Sequence, residues 1–230
     1  MKVTIQEVVT KKDLRQFVHY PNALYKDNPY YVPTLESGDR DVLDPKKNHA
    51  FEFCEGKYWL ARNEKGAIVG RIAGIINHQY NQKMGIDYAR FGFMDFIDDD
   101  TVVDALFDTV EAWAREKGMK VMNGPLGFLE FDASGVLVAG FDELPTAYGK
   151  YNFPYYEPQL LRRGYAERMV LAHDASCFID WFDPEAKRQV VPRWNFRHIS
   201  EDVIPALLEG GASQGDIDTM LVDNPRRYFE

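Results

Sequence analysis

Apolar positions along this chain follow two rhythms, and the change from one to the other marks its central elements. From Lys57 to Asp98, aromatic and β-branched residues crowd three runs, KYWLARN, AIVGRIAGIINHQYN and YARFGFMDFID, with turns at Glu64-Lys65-Gly66 and near Met84-Gly85. Such runs between Gly- and Asn-containing breaks predict an antiparallel meander. The period then shifts. Val102, Val103, Leu106, Phe107, Val110, Trp113 and Ala114 recur at spacings of three and four, so one helical stripe faces the sheet. Asp104, Asp108, Glu111, Arg115 and Glu116 are left facing water. Asp98 to Thr101 offer oxygens to the free N–H groups at the start of this helix, and Gly118 ends it.

Val3 to Val9 predicts a strand. A helix follows from about Asp13, with Leu14, Phe17 and Val18 inward and Pro21 interrupting it or marking its end. The connection DNPYYVPTLESGDRDVLDPKKNHAFEFCEG is rich in proline and aromatic residues and is expected to pack on the domain, with a short helix from Ser37 to Leu43 stopped by Asp44-Pro45. After the central helix, MKVMNGPLGF reads as a short strand entering a Gly/Pro turn, and TAYGKYNFPYYEPQLLRRGY as an aromatic loop. Met169 to His173 reads as one more strand. The tail predicts a helix from Ile199 to Leu208, with Ser200 as N-cap, Pro205 needing local distortion and Gly210-Gly211 as the stop. A shorter helix, Asp216 to Val222, starts near Ser213 and ends before Asn224-Pro225. The expected fold class is α/β (α+β): a mixed, mainly antiparallel sheet flanked by helices, with a short helical C-terminal tail.

Composition narrows the functional classes. A chain of 230 residues, 45% hydrophobic and 14% aromatic, holds one large domain, or one of ordinary size plus an appendage. Net charge is −9 with both signs mixed along the chain, so no basic footprint points to nucleic acid. The opening MKVTIQEVV is not an apolar leader, and no run approaches the ~18 apolar residues of a membrane span. Cys54 and Cys177 lie far apart, as reduced thiols rather than a disulfide framework. The expectation is a cytoplasmic protein with no membrane partner. No oligomeric state follows from the sequence.

From Met1 to about Tyr165, the phrases NPYYVP, LDPKKNHAFE, VGRIAGIINHQYN, ARFGFMDFIDD, LFDTVEAWAREKGM, GPLGF and GFDE occur in one order. Together they resemble the N-terminal part of bacterial proteins of the GNAT superfamily of N-acetyltransferases. The resemblance implies acyl-CoA-dependent N-acyl transfer to a small-molecule substrate, with acetyl-CoA or another acyl-CoA as cofactor. It also implies a groove beside the strand that follows the central helix. Asn123, Gly124, Gly127, Phe128, Tyr151 and Tyr155, with Tyr156, are the candidate groove residues, although they also read as a structural Gly-Pro turn and an aromatic loop over the sheet. The superfamily binds pyrophosphate with backbone N–H groups of a Gly-rich loop at a helix N-terminus. Here that loop reads FIDDDTVVDAL, without glycine. Asp98, Asp99 and Asp100 stand where phosphate would dock, each pair repelling it by ~1 kcal/mol or more. They are read as helix caps, which leaves the implied enzyme degenerate or incomplete.

From about Leu160 the text changes. LLRRGYAERMVLAHDASCFIDWF and PRWNFRHISEDVIPALLEGGASQGDIDTMLVDNPRRYFE resemble the C-terminal end of phosphotriesterase-related amidohydrolases and lactonases. The resemblance divides the chain into 1–165 and 166–230 and makes it read as a chimera of two families. It implies that Asp174, at the C-terminal end of a last barrel strand, binds a divalent metal such as zinc and shuttles a proton. A metal site needs three or four ligands, yet the chain has no His-x-His pair, and His19, His49, His78, His173 and His198 are scattered. Roughly 65 residues cannot close a barrel of ~250. Three functions stay open: an N-acyltransferase-like protein, a metal-dependent phosphotriesterase-like fragment, and a non-catalytic interaction or scaffold domain, natural or recombined.

Overall fold

The computed structural model describes residues 2–129, 132–145, 149–166, 189 and 197–229. The chain divides into two units, Met1–Tyr165 and Ala166–Glu230. The expected strand Met169 to His173 lies outside the described residues.

In the first unit, strands β1 (Val3–Glu7), β2 (Cys54–Asn63), β3 (Ile68–Asn77), β4 (Tyr88–Phe96) and β5 (Val121–Asn123) form a five-stranded sheet in the order in which they occur in the chain. The first three pairings are antiparallel and β4–β5 is parallel, so the mixed, mainly antiparallel α/β fold read from the sequence is the one observed. Both faces of the sheet are covered, which is why its strands read as nearly continuous apolar runs. Along β2, Trp59 and Ala61 point into one core while Tyr58 and Leu60 point into the other; along β3, Ile72 and Ile76 oppose Ala73 and Ile75. The first core is closed by helix α4 (Asp100–Glu116), whose stripe from Val102 to Ala114 is buried as its periodicity requires. A side chain at Gly74 would meet the Trp113 ring at 2.6 Å, so a glycine lets α4 settle onto β3 there.

Helix α1 (Lys11–Leu24) covers the opposite face with Phe17 and Val18. Thr10 and Asp13 cap it reciprocally: Thr10 Oγ1 accepts from Asp13 N at 3.2 Å, and Asp13 Oδ2 accepts from Thr10 N at 3.0 Å. Pro21 neither interrupts nor ends α1, contrary to the sequence expectation. Proline has no N–H for the carbonyl four residues back. That carbonyl, Phe17 O, instead accepts from Arg71 Nη1 at 2.8 Å, so nothing is left unpaired and the helix runs on to Leu24.

Helix α2 (Glu36–Val42) stands close to its expected place. The run AIVGRIAGIINHQYN is not one strand: β3 stops at Asn77, whose side chain accepts from Tyr80 N at 2.8 Å and starts helix α3 (His78–Met84). The aromatic loop ends in helix α5 (Tyr156–Arg162). In β4 an extra residue enters: Arg71 pairs with Asp95 but Ala73 pairs with Gly92, and Phe93 takes φ 44°, alone among the described non-glycine residues in its positive φ. This is a β-bulge, a device that re-aims side chains beside sites.

In the second unit, a π-type turn (Ile199–Val203) leads into a helix (Ile204–Glu209). Ser200 is not its N-cap; it lies inside the run and its hydroxyl donates to Arg197 O at 2.9 Å. Ser213 and Asp216 form a capping box before a helix (Gln214–Asp218), a π-type turn (Thr219–Asp223) and a further helix (Asn224–Phe229). This run passes through Pro225 instead of ending before it. Each proline is preceded by a widened turn, with Ile204 N donating to Ile199 O and Asn224 N to Thr219 O. Widening moves the backbone off the i−4 geometry with which the ring would clash. Among the described residues no helix is long and apolar enough to cross a membrane.

Candidate functional site

The bulge in β4 turns Asp95 toward α1, where it meets Arg71. The guanidinium Nε donates to Asp95 Oδ2 at 2.7 Å, with the two side chains 2% and 10% exposed. On its other oxygen Asp95 accepts from Tyr25 at 3.0 Å and Tyr156 at 3.4 Å, and the two phenol oxygens lie 2.6 Å apart. Phe96 N donates to the Tyr156 hydroxyl at 3.1 Å, and Tyr155 donates to Phe96 O at 2.7 Å. Burial first, then the Asp95 charge, push the Tyr25 and Tyr156 hydroxyls far above the ordinary tyrosine value, so both remain neutral donors.

Two members of this network, Asp95 and Tyr156, line a cavity of about 430 Å³. Asp39 from α2, Asp95 and Phe93 from β4, Asp132, and the loop residues Lys150 and Tyr151 line it, with Thr34 and Pro125. Two of its polar atoms, Asp39 Oδ2 and Thr34 Oγ1, are buried without a hydrogen-bond partner. Buried polar groups are seldom left unpaired. Lys150 lines the cavity as an exposed residue, its Nζ 4.9 Å from the centre of the Phe93 ring. Crowding by the walls, then the Arg71 charge, lower its pKa, against Asp95, Asp39 and Asp132, which raise it. Because the side chain is exposed, solvent screens part of this shift.

The N-terminus of α4 has the opposite character. Asp99 Oδ1 accepts from Thr101 N at 2.9 Å and Val102 N at 3.2 Å, taking the donors an anion would need. Gln159 Nε2 donates to Asp98 and Asp100, each at 2.9 Å, and Arg162 Nη2 donates to Asp104 at 2.8 Å. The chain's own α5 therefore lies over this end. These residues do not fit the pyrophosphate of an acyl-CoA.

Of the candidate groove residues, Tyr151 lines the cavity, its hydroxyl accepting from Asn28 Nδ2 at 2.8 Å. Tyr156, which also lines it, is a member of the Asp95 network. Tyr155 stacks on Phe153 beside it. Asn123 ends β5 opposite Arg90. Gly124 packs so tightly on Phe91 that a Cβ would stand 2.4 Å from its carbonyl oxygen, and a Cβ on Gly127 would collide with Asp132. Phe128 is wholly buried against Phe51 and Phe93. Asp39, Asp95, Asp132 and Lys150 were not singled out by sequence reading, since positions scattered between 39 and 150 share no spacing. Asp174 and Cys177 lie outside the described residues. Burial pushes the Cys54 thiol up to about 11, which keeps it a neutral core group. Among the described residues no three His, Cys, Asp or Glu side chains stand close enough to hold a metal, so no donor set for one is described.

Residues 155–229 match the Phosphotriesterase family. The chain is 33% identical over 161 residues to Protein YghO of Escherichia coli (strain K12), covering 70% of this chain and 41% of that protein. It is 30% identical over 170 residues to a Bacterial ceramide synthase of Caulobacter vibrioides, covering 74% and 44% respectively. It spans less than half the length of these curated relatives. A tandem GNAT protein from the clavulanic acid biosynthesis pathway superposes with a TM-score of 0.47 at 12% identity, over 71% of this chain and 43% of the other. The match at 155–229 begins before α5, so the helix laid over the N-terminus of α4 falls within it. Two resemblances thus meet in one chain: phosphotriesterase-like from residue 155 onward, and similar over most of its length to larger bacterial proteins, one of them named for ceramide synthesis.

Proposed function

We propose that residues 1–165 form a domain related to acyl-CoA-dependent N-acyltransferases, and that the cavity over Asp95 receives an amine acceptor. The observation that carries this reading is the convergence of Asp39, Asp95 and Asp132 with the aromatic residues Phe93 and Tyr156 on one cavity. Carboxylates and aromatic faces are what an ammonium group seeks. The relative named a ceramide synthase supports it, since a ceramide is the amide of an acyl group with a long-chain amine. Asp95 is locked by Arg71, Tyr25 and Tyr156, whereas Asp39 Oδ2 has no partner and is open to recruitment. The N-terminus of α4 adds nothing to acyl-CoA binding.

The test is a thermal melt of the full chain with n-hexylamine or acetyl-CoA. At ~100 times its dissociation constant a ligand stabilises a fold by ~2.7 kcal/mol, a shift of several degrees. The amine is expected to raise Tm and acetyl-CoA to leave it unchanged. A flat response across an amine series would overturn the acceptor reading, and an acetyl-CoA shift would overturn the exclusion of diphosphate. The phosphotriesterase reading rests on the match at 155–229; zinc bound in stoichiometric amount to the purified chain would favour it.

A further inference from the structure

The cavity contains an amine that belongs to the chain. Lys47, Lys57 and Lys120 sit on carboxylates at 2.6, 2.8 and 2.6 Å. Lys150 forms no such ion pair among the described residues; its ammonium rests over the Phe93 ring and opens to the cavity. That ring is held by the β4 bulge, at a backbone conformation most residues avoid. In the same cavity Asp39 Oδ2 is a buried acceptor with nothing to accept.

We infer that Lys150 is an acyl-accepting site, whose amine takes the acyl group of a small, uncharged acyl thioester entering the cavity. This rests on the N-acyltransferase-related reading and sharpens it: one acceptor for the pocket is built into the chain. The ammonium first gives a proton to a cavity carboxylate or to water. The neutral nitrogen attacks the thioester carbonyl, the C–N bond forms and the C–S bond breaks. The sulfur leaves as a thiol, taking up one proton, and the second nitrogen proton passes to solvent, so an amide remains on Lys150. The charged groups around the amine are Asp39 from α2, Arg71 from β3, Asp95 from β4 and Asp132 from the loop, with the neutral Tyr156 from α5. Wall crowding and Arg71 favour the neutral amine. The carboxylates lining the cavity disfavour an anionic donor, hence the uncharged class.

The experiment treats the full chain with S-acetyl-N-acetylcysteamine from pH 7 to 9 and follows acetylation of each lysine by peptide mass spectrometry. Lys11 and Lys46, exposed like Lys150 but outside the cavity lining, are internal standards. Lys150 is expected to acetylate at least ~10-fold faster than either at pH 7.5, with a rate that flattens at lower pH than theirs. Asp39→Asn removes a negative charge that raises the Lys150 pKa, so it should speed Lys150 severalfold at pH 7.5 and leave the standards unchanged, with a cooperative thermal melt showing that the variant is folded. Equal rates at the three lysines, or no effect of Asp39→Asn on Lys150, would overturn the inference. Fast labelling without an amine-induced melt shift keeps the site and removes the external-amine reading. A melt shift without fast labelling does the reverse.

Discussion

A single proline shows how closely the core is interlocked. Pro21 removes one helix hydrogen bond, and the freed Phe17 carbonyl becomes one of two anchors for Arg71, the other being Asp95. Removing one member of a buried pair leaves a charge with no partner, so Asp95→Ala is expected to cost ~3–5 kcal/mol. Tyr25→Phe, which deletes a hydroxyl shared by Asp95 and Tyr156, should cost ~1–2 kcal/mol. Urea denaturation checks both, and the order of the two effects is the informative result. None of this was legible in the sequence, because the Arg71–Asp95 pairing exists only through the strand register and its bulge. Phe17 and Val18 could be placed inside from spacing alone, whereas the use of Phe17 O could not.

At the level of elements, local chemistry wrote much of the outcome. The stripe and the Asp98–Thr101 cap located α4 to within a residue, and Asp99→Ala should lower stability by ~1 kcal/mol in a thermal melt. Gly74→Ala would drive a methyl into Trp113, with an expected loss of ~1–3 kcal/mol. What escaped notice were places where one polar atom redirects the chain, such as Asn77 ending β3, or where a turn widens to admit Pro205 and Pro225. The α5–α4 junction also titrates. The Arg162 hydrogen bond holds the Asp104 carboxyl below its ordinary value. Its contribution is therefore complete above the unfolded value of ~3.9 and is lost as pH falls through the lower folded one. The stability difference between wild type and Asp104→Asn should be constant above about pH 5 and shrink toward pH 2, as read by denaturant titration at each pH.

On the scale of the molecule, both hydrophobic clusters of the first unit are built, among the described residues, from positions no later than Tyr165. Residues 1–165 expressed alone should thus give one cooperative transition, and a broad, sloping melt would show that the core is not self-contained. The sheet architecture was legible because it is a meander with strong periodicity. The site was not, since its carboxylates and lysine come together only when the sheet, α2 and the loop before α5 are assembled. The strand order, identical to the order along the chain, also bears on how the sheet comes into being. The hairpin β2–β3 is closed by residues 64–67 alone, while β1 must find β2 across everything from Val8 to Phe53. Loop-closure entropy favours the short loop. We therefore expect substitutions in β2 and β3 to slow refolding in stopped-flow experiments and those in β1 mainly to hasten unfolding. β1 would then leave the ribosome before β2 and β3, yet join the sheet only after those two have paired.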